Sequence, residues 1–218
     1  MGFAMTHIEQ KGVNVFYASA AGSSATSTRH RLVTILLKSP HFSNRRSLPI
    51  QIVHDALGRP QLLLGEHRGP SISFSTAGEK TWAALAGDES EIGIDVAGSV
   101  EFQESYPFKR VFHKRELHQA LELADDDLAK AAALLWSIKE SVVKALGCAF
   151  HLVDPSDIHV EPSAVEDCWL TFSARLTGKA LVRFPMADRR SIAVRSLPQA
   201  EAWLSIAALN CRPNLELP

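Results

Sequence analysis

Cysteine is scarce in this sequence and widely scattered. The 218 residues include Cys148, Cys168 and Cys211, which are far apart and form no C-x-x-C pair. This usage is typical of reduced thiols in a cytoplasmic protein and disfavours a disulfide framework or a zinc site. The nine histidines contain no H-x-x-x-H pair, which leaves a transition-metal site with little support.

Long apolar runs and net charge are also missing. No apolar run approaches the roughly 20 residues that a membrane-spanning helix needs, and the N-terminus carries no targeting pattern. Lysine and arginine total 23 against 24 aspartates and glutamates, so the chain lacks the excess positive charge that binds duplex DNA or an anionic membrane. We therefore expect a cytoplasmic protein with neither nucleic acid nor membrane as its partner.

The charge is unevenly distributed along the chain. Residues 1–54 contain six lysines and arginines against one glutamate, whereas acids outnumber bases in the remainder. Between Lys11 and His54 there is no acidic residue. This stretch suits a small, highly phosphorylated ligand better than a long polyanion, although a solvated basic face accounts for the same pattern.

Hydrophobic periodicity predicts two αβ halves that meet near residues 98–105. The predicted helices are Arg31–Lys38, Lys114–Leu123 and Leu128–Leu146, the last preceded by capping aspartates at 125–127 and followed by Gly147. For Arg31–Lys38 a buried strand is the alternative. The predicted strands are 13–17, 71–75, 82–86, 91–96, 158–161, 168–173, 180–184 and 192–195. We also expect a flexible loop over Ala18–Thr28 and a hairpin turn over Gly87–Ser90.

Asp95 and Glu140 are the first candidates for chemistry. Strand alternation places Gly93 and Asp95 on the face opposite Ile92, Ile94 and Val96, and Glu140 lies on the polar side of the long helix. A hard cation such as Mg²⁺ is held by one or two carboxylates together with water and phosphate oxygens. A turn or cap residue at 95, and an exposed i,i+4 ion pair of Glu140 with Lys144, are the structural alternatives.

Five segments together resemble the 4′-phosphopantetheinyl transferases. Residues 93–96 (GIDV) and 136–144 (WSIKESVVK) are similar to the paired G-I-D-x-E and W-S-x-K-E-S-x-x-K signatures of that family. Residues 58–60 (GRP), 73–76 (SFST) and 112–116 (FHKRE) resemble its G-K/R-P, N-x-S-H and F-x-x-x-E segments. An unrelated phosphotransferase has less support, because neither G-x-x-x-x-G-K-[ST] nor G-x-G-x-x-G occurs.

The length resembles the larger, surfactin-synthetase-activating branch of this family, in which two half-size units are fused into a monomeric pseudo-dimer. The resemblance implies an α+β fold of two similar αβ subdomains, each an antiparallel sheet packed against a long helix, at residues 1–100 and 101–218 with the active site between them. It also implies transfer of 4′-phosphopantetheine from coenzyme A to a serine of an apo carrier protein of fatty acid, polyketide or peptide synthesis, with release of adenosine 3′,5′-bisphosphate.

The same resemblance assigns catalytic roles. Asp95 and Glu140 would hold Mg²⁺, or Mn²⁺ in its place, and Glu140 would also act as the general base. Lys144 would stabilise or protonate the leaving phosphate. Lys139 lies about 100° around the helix from Glu140, so we expect it either to contact phosphate or to extend along the helix without doing so.

Coenzyme contacts are implied for five further residues. Ser75 and Thr76 would bind phosphates, Arg31 and Lys38 the 3′-phosphate, and Arg59 the adenine or the phosphates. Alignment across the basic stretch is loose, and Arg29, Arg45 and Arg46 are further candidates for the 3′-phosphate.

Two positions depart from the family pattern. Ala97 stands where the larger branch usually has a second acid, and Thr76 where it has histidine. Because Mg²⁺ can replace a carboxylate with water, we expect reduced metal affinity. The alternative is an impaired relative that binds coenzyme A or carrier without efficient turnover.

A basic cluster is expected to face an acidic carrier protein, with a solvated helix start as the alternative; it comprises Lys109, Arg110, Lys114 and Arg115.

Overall fold

A computed structural model describes residues 5–22, 26–45, 48–87, 90–103, 105–185 and 191–210. The strands are β1 (Met5–Gln10), β2 (Val13–Ala21), β3 (Ile50–His54), β4 (Pro60–Leu64), β5 (His67–Arg68), β6 (Ile72–Ala77), β7 (Lys80–Ala86), β8 (Ser90–Gly98), β9 (Ile158–Glu166), β10 (Trp169–Leu176), β11 (Ile192–Gln199) and β12 (Ala202–Asn210). The α-helices are α1 (Thr26–Leu36), α2 (Phe108–Val111), α3 (Lys114–Leu123), α4 (Leu128–Ala145) and α5 (Gly178–Arg183). Short 3₁₀ helices cover Pro40–Arg45, Ser99–Glu101 and Pro155–Asp157.

These strands form three antiparallel sheets, which confirms the predicted α+β class. The strand orders are β1-β2-β7-β6, β8-β12-β11-β10-β9 and β3-β4-β5. β8 precedes the predicted boundary at residue 100, yet it pairs with β12 in the sheet of the C-terminal part. The ranges 1–100 and 101–218, and the similarity of the two halves, stay predictions. None of the helices in the described ranges combines the length and apolarity needed to cross a bilayer.

The long helix α4 is held at both ends and buried along most of its length. The Asp127 carboxylate accepts the backbone N–H groups of Ala129 and Lys130 at 2.9 and 3.0 Å, a cap that typically contributes about 1 kcal/mol. Beyond the helix, Gly147 has a φ of +73°, the left-handed conformation that ends many helices. Predicted apolar positions of α4 lie in the main core, where each fully buried leucine contributes ~1.5–3 kcal/mol; they include Leu134, Leu135, Ile138 and Val142.

α4 touches β8 at backbone distance. A Cβ added to Gly93 would lie 1.8 Å from the Ser141 carbonyl oxygen and 2.7 Å from the Ala145 nitrogen. The glycine therefore lets helix and strand backbones meet, and the polar side predicted for α4 is buried there, with Ser137 and Ser141 both fully covered. Apolar residues of β8 face the opposite core, shared with β2 and β7, as predicted; they are Ile92, Ile94 and Val96.

A ladder of serine hydroxyls joins β8 to β6, although the two strands belong to different sheets. The Oγ atoms of Ser71, Ser73 and Ser75 accept backbone N–H groups of β8 at 3.3, 3.0 and 3.0 Å. The donors are Ile92, Ile94 and Val96. β8 is an edge strand of its sheet, and an edge N–H buried without a partner would cost free energy. The alternating serines predicted as a strand face thus satisfy that edge.

Several predicted elements need correction. β7 and β8 lie in different sheets, so the hairpin predicted over Gly87–Ser90 is wrong, and residues 88–89 of it lie outside the described residues. Residues 180–184, predicted as a strand, fall mostly in α5 because Gly178 starts a short helix that the alternation of apolar residues did not reveal. The predicted loop Ala18–Thr28 begins inside β2 and ends inside α1.

We expect Gly93→Ala to destabilise the protein, because the added methyl group must push α4 off β8. The expected loss in the free energy of unfolding is about 3 kcal/mol, measured by urea unfolding. Gly98→Ala on the same strand is the matched control. Its added Cβ would have no atom nearer than 3.5 Å, and we expect a change within about 0.5 kcal/mol. Equal unfolding midpoints for the two variants would contradict the close-contact interpretation.

Candidate active site

Asp95, Glu140 and Lys144 meet where the end of β8 faces the last turns of α4. The Lys144 Nζ atom lies 2.6 Å from Asp95 Oδ1 and 3.2 Å from Glu140 Oε2, and it also donates to the Ile94 carbonyl at 3.3 Å. Asp95 is buried, with 4% of its surface exposed, whereas Glu140 and Lys144 remain partly accessible. The structure thus brings together the three residues predicted to be catalytic, and the i,i+4 ion pair is one side of this cluster.

Ser75 fixes the orientation of Asp95. Its Oγ donates to Asp95 Oδ1 at 2.9 Å while accepting the Val96 N–H at 3.0 Å. The hydroxyl that was predicted to bind phosphate is therefore engaged with the carboxylate. Thr76 is exposed at the next position, and its hydroxyl lies 3.4 Å from that of Thr81.

The cluster shifts the acid–base properties of its members. Burial raises the pKa of Glu140, and the neighbouring Asp95 carboxylate raises it further against the opposing effect of Lys144. Burial by itself lowers the pKa of Lys144, but the charges of Asp95 and Glu140 outweigh it and leave that pKa above its usual value. At neutral pH Lys144 is therefore charged, and Glu140 accepts a proton more readily than an ordinary glutamate.

Two cavities meet at this cluster. One, of about 260 Å³, is lined by the turn around Arg59, by Cys148 after α4 and by Phe150. The other, of about 370 Å³, is lined by Thr76, Asp95 and the residues around Glu101 and Trp136. The wall common to both consists of Arg29, Phe74, Glu140 and Lys144. A ligand spanning the cavities would therefore pass directly over Glu140 and Lys144.

Arg59 reaches the first cavity from the turn between β3 and β4. The Asp55 carboxylate accepts the backbone N–H groups of Leu57 and Arg59 at 2.9 and 3.0 Å, and the hydrogen bond from Arg59 contributes most to lowering the pKa of Asp55. The Arg59 guanidinium pairs with Glu91 and lies against Gly147. Its predicted place in the site is consistent with this geometry, although its charge is already shared with Glu91.

Arg29 is the basic residue of α1 that lines the cavities. Its guanidinium carbon lies 5.2 Å from the Phe74 ring centre, and its Nε is buried without a hydrogen-bond partner among the described residues. Arg31 and Lys38, predicted for the 3′-phosphate, line neither cavity. Successive helical residues differ by about 100°, so Arg31 projects away from the direction of Arg29. Arg46, a further candidate for the same phosphate, lies outside the described residues.

Lys139 is turned away from the site, contrary to the phosphate contact considered for it. Its side chain is fully buried, and Nζ donates to Glu116 Oε1 at 2.6 Å and to the carbonyls of Val111 and Pro155 at 3.2 and 2.9 Å. Burial lowers the pKa of Lys139, opposed by the charge of Glu116. The signal for Glu116 was present in the F-x-x-x-E segment, but spacing alone did not identify its partner.

The two carboxylates of Asp95 and Glu140 are a donor set that fits Mg²⁺. In the part of the chain that the structure describes, no three His, Cys, Asp or Glu side chains converge closely enough to hold a metal ion. The Asp95 carboxylate is near enough to Glu140 to raise the pKa of that side chain, and Ala97, on the same face of β8, adds no oxygen ligand. Mg²⁺ commonly takes one or two carboxylates and completes its shell with water and phosphate.

Comparison with known proteins agrees with the motifs in this region. Residues 91–194 match the family model of the 4′-phosphopantetheinyl transferase superfamily. This segment includes β8 and α4, and with them Asp95, Glu140 and Lys144. A search of curated proteins gives no significant match. The resemblance is therefore confirmed for the superfamily over this segment, and the larger, pseudo-dimeric branch stays a prediction.

The buried Lys139–Glu116 pair generates a stability prediction. Glu116→Gln leaves a buried ammonium without its counter-charge, and we expect the free energy of unfolding to fall by about 3 kcal/mol or more. Urea unfolding at neutral pH measures this. Glu122→Gln, on the exposed side of the same helix, is the control and should change little. Adding Lys139→Met to Glu116→Gln should recover part of the loss; a double variant less stable than Glu116→Gln would contradict the role of the uncompensated charge.

Proposed function

We propose that this protein transfers the 4′-phosphopantetheine group from coenzyme A to a serine of an apo carrier protein and releases adenosine 3′,5′-bisphosphate. The observation that carries the proposal is the cluster of Asp95, Lys144 and Glu140, which lies at the junction of two cavities. The cluster also falls inside the segment that matches the transferase superfamily. One cavity accommodates part of the coenzyme, and the other gives the carrier serine access to it.

The proposed enzyme is a cytoplasmic monomer of the larger, pseudo-dimeric branch. In support, both parts of one chain contribute to the site. Arg29, Arg59 and Phe74 come from the N-terminal part, whereas Glu140 and Lys144 come from the long helix of the C-terminal part. No second copy is needed to supply these walls.

Asp95 and Glu140 are the residues that would hold Mg²⁺, or Mn²⁺ in its place. When bound there, the ion would neutralise charge developing on the pyrophosphate in the transition state. Ser75 keeps Asp95 turned toward the cavity through the 2.9 Å hydrogen bond, so the carboxylate is oriented before any ligand arrives.

Proton transfer is assigned to the two α4 residues of the cluster. The carrier serine oxygen forms a bond to the β-phosphorus, the bond from that phosphorus to the bridging oxygen breaks, and Glu140 takes the serine proton. The raised pKa of Glu140 favours this role. Lys144 donates to the oxygen that leaves on adenosine 3′,5′-bisphosphate, where its positive charge stabilises the negative charge that develops.

Arg29 is the proposed anion-binding residue on the common wall. Its Nε is buried without a partner among the described residues, and a cation–π contact with Phe74 helps to hold the guanidinium group in place. A phosphate oxygen would satisfy this donor. Arg59 would add a second positive charge if the coenzyme phosphates compete with Glu91 for it.

An acidic carrier protein is the proposed partner of the basic cluster. Lys109, Arg110, Lys114 and Arg115 are all exposed and lie on α2 and at the start of α3. Charge complementarity there would mainly raise the rate of encounter and orient the serine.

A second candidate function is binding without efficient turnover. It is favoured by Ala97, which leaves two carboxylates in the cluster, and by Thr76, which gives a hydroxyl where the family has an imidazole. The two functions differ in one observable, the covalent product on the carrier.

We expect the protein, coenzyme A and Mg²⁺ to add one phosphopantetheine to apo carrier proteins, detected by intact-mass spectrometry. Asp95→Asn and Glu140→Gln should each slow transfer by about 100-fold or more, since each removes a metal ligand and Glu140 is also the base. Glu122→Gln is the control for a carboxylate outside the site. Near-normal rates in both site variants would refute the metal and base assignments. If no carrier of a panel from fatty acid, polyketide and peptide synthases gains mass, the transfer function is refuted, and binding without efficient turnover is the function that remains.

Coenzyme binding should distinguish Arg29 from Arg31. Arg29→Met removes a guanidinium from the cavity wall, and we expect the Kd for coenzyme A to rise about tenfold, which corresponds to a free energy near 1.4 kcal/mol. Arg31→Met on the same helix is the matched control and should change the Kd by less than about threefold. Isothermal titration calorimetry provides the measurement. A larger effect at Arg31 than at Arg29 would contradict the role proposed for Arg29. It would support Arg31, the residue predicted from the sequence, as the one that binds the 3′-phosphate.

A further inference from the structure

The ammonium of Lys144 is shared between the two carboxylates that would hold a divalent ion. It donates to Asp95 Oδ1 at 2.6 Å and to Glu140 Oε2 at 3.2 Å. The formal charge of the three side chains together is −1. Because Ala97 supplies no further acid, any divalent ion at this position would use the same two carboxylates. The lysine ammonium and the ion would therefore compete for the same two carboxylates.

The Lys144 side chain can also turn toward a second position, in the cavity that Asp95 does not line. Its side chain lines both cavities and is 28% exposed, and its long stem and compact ammonium allow it to move between partners. The cavity on the far side from Asp95 is also walled by Arg29 and Arg59. A phosphate group bound beside these arginines would attract the Lys144 ammonium from the carboxylates.

We propose that Lys144 is a tethered counter-ion that holds the divalent-cation affinity of the free protein low and releases Asp95 and Glu140 when a phosphate-bearing coenzyme binds. The inference rests on the proposed function and adds a coupling to it: bound coenzyme raises the affinity of the site for the metal ion. It also gives Lys144 a role before the chemical step, in addition to its donation to the leaving oxygen. Such coupling between two ligands is reciprocal, so the ion would strengthen coenzyme binding by the same factor.

The experiment measures Mn²⁺ binding by electron paramagnetic resonance, with and without coenzyme A and in the absence of any carrier protein, so no transfer takes place. Wild type is compared with Lys144→Met and Lys144→Gln. Arg29→Met is the matched control, because it removes one positive charge from the same cavity wall without touching either carboxylate. Circular dichroism and urea unfolding confirm that each variant is folded, and Lys144→Gln provides a polar replacement if Lys144→Met is unstable.

We expect Lys144→Met to bind Mn²⁺ about tenfold more tightly than wild type in the absence of coenzyme, and Arg29→Met to change this affinity by less than about threefold. Coenzyme A should raise the Mn²⁺ affinity of wild type by a larger factor than that of Lys144→Met.

Two outcomes would overturn the inference, and they are distinguishable. If both Lys144 variants bind Mn²⁺ no more tightly than wild type while coenzyme A still strengthens Mn²⁺ binding, the counter-ion role is wrong and the transferase proposal stands. If neither wild type nor variants bind Mn²⁺ with coenzyme A present, the metal site of the proposed function fails as well. If Arg29→Met gains as much Mn²⁺ affinity as Lys144→Met, the effect comes from the loss of any positive charge nearby. That result would contradict a specific competition between Lys144 and the ion.

Discussion

The backbone contact between β8 and α4 at Gly93 is the constraint on which the site depends. The helix approaches so closely that no side chain fits at this position, with the Ser141 carbonyl 1.8 Å from where a Cβ would be. Asp95 lies two residues along the strand and therefore on the same face. It meets α4 beside this contact, where Glu140 and Lys144, the residues just before Ser141 and Ala145, project one turn apart. A helix standing farther from the sheet would leave the three charged groups too far apart to act together.

The serine ladder provides the second half of this arrangement. β8 has α4 across one face, an apolar core on the other and β12 along one edge, so its remaining edge N–H groups need acceptors. Three hydroxyls of β6 and the residue before it supply them, and the last, Ser75, also donates to Asp95. One set of hydrogen bonds thus joins the two sheets and orients the Asp95 carboxylate. The same connection brings Arg29 and Phe74 from the N-terminal part to the cavity wall beside α4.

The two lysines of the helical motif lie in different environments, one in the core and one at the cavities. Lys139 and Lys144 are five positions apart, about 140° around the helix at 100° per residue. Lys139 therefore enters the core, where Glu116 and two carbonyls enclose it, and it ties α4 to the start of α3. Lys144 lies at the cavities with Asp95 and Glu140. Their environments move the pKa values of the two ammonium groups in opposite directions.

Much of this protein is determined by local sequence patterns. Helical periodicity and the capping Asp127 predict α4, α3 has the bounds that were predicted, and strand alternation separates Asp95 from Ile92, Ile94 and Val96. That Asp95, Glu140 and Lys144 share one site was predicted by the resemblance of the motifs around them to the transferase signatures, because the spacing between a strand and a distant helix does not show that the two meet. Tertiary structure decided the rest: that β7 and β8 lie in different sheets, that Arg29 rather than Arg31 lines the cavities, and that Lys139 pairs with Glu116. Each of these depends on which elements pack together across long stretches of chain, and periodicity within one element carries no information about its neighbour.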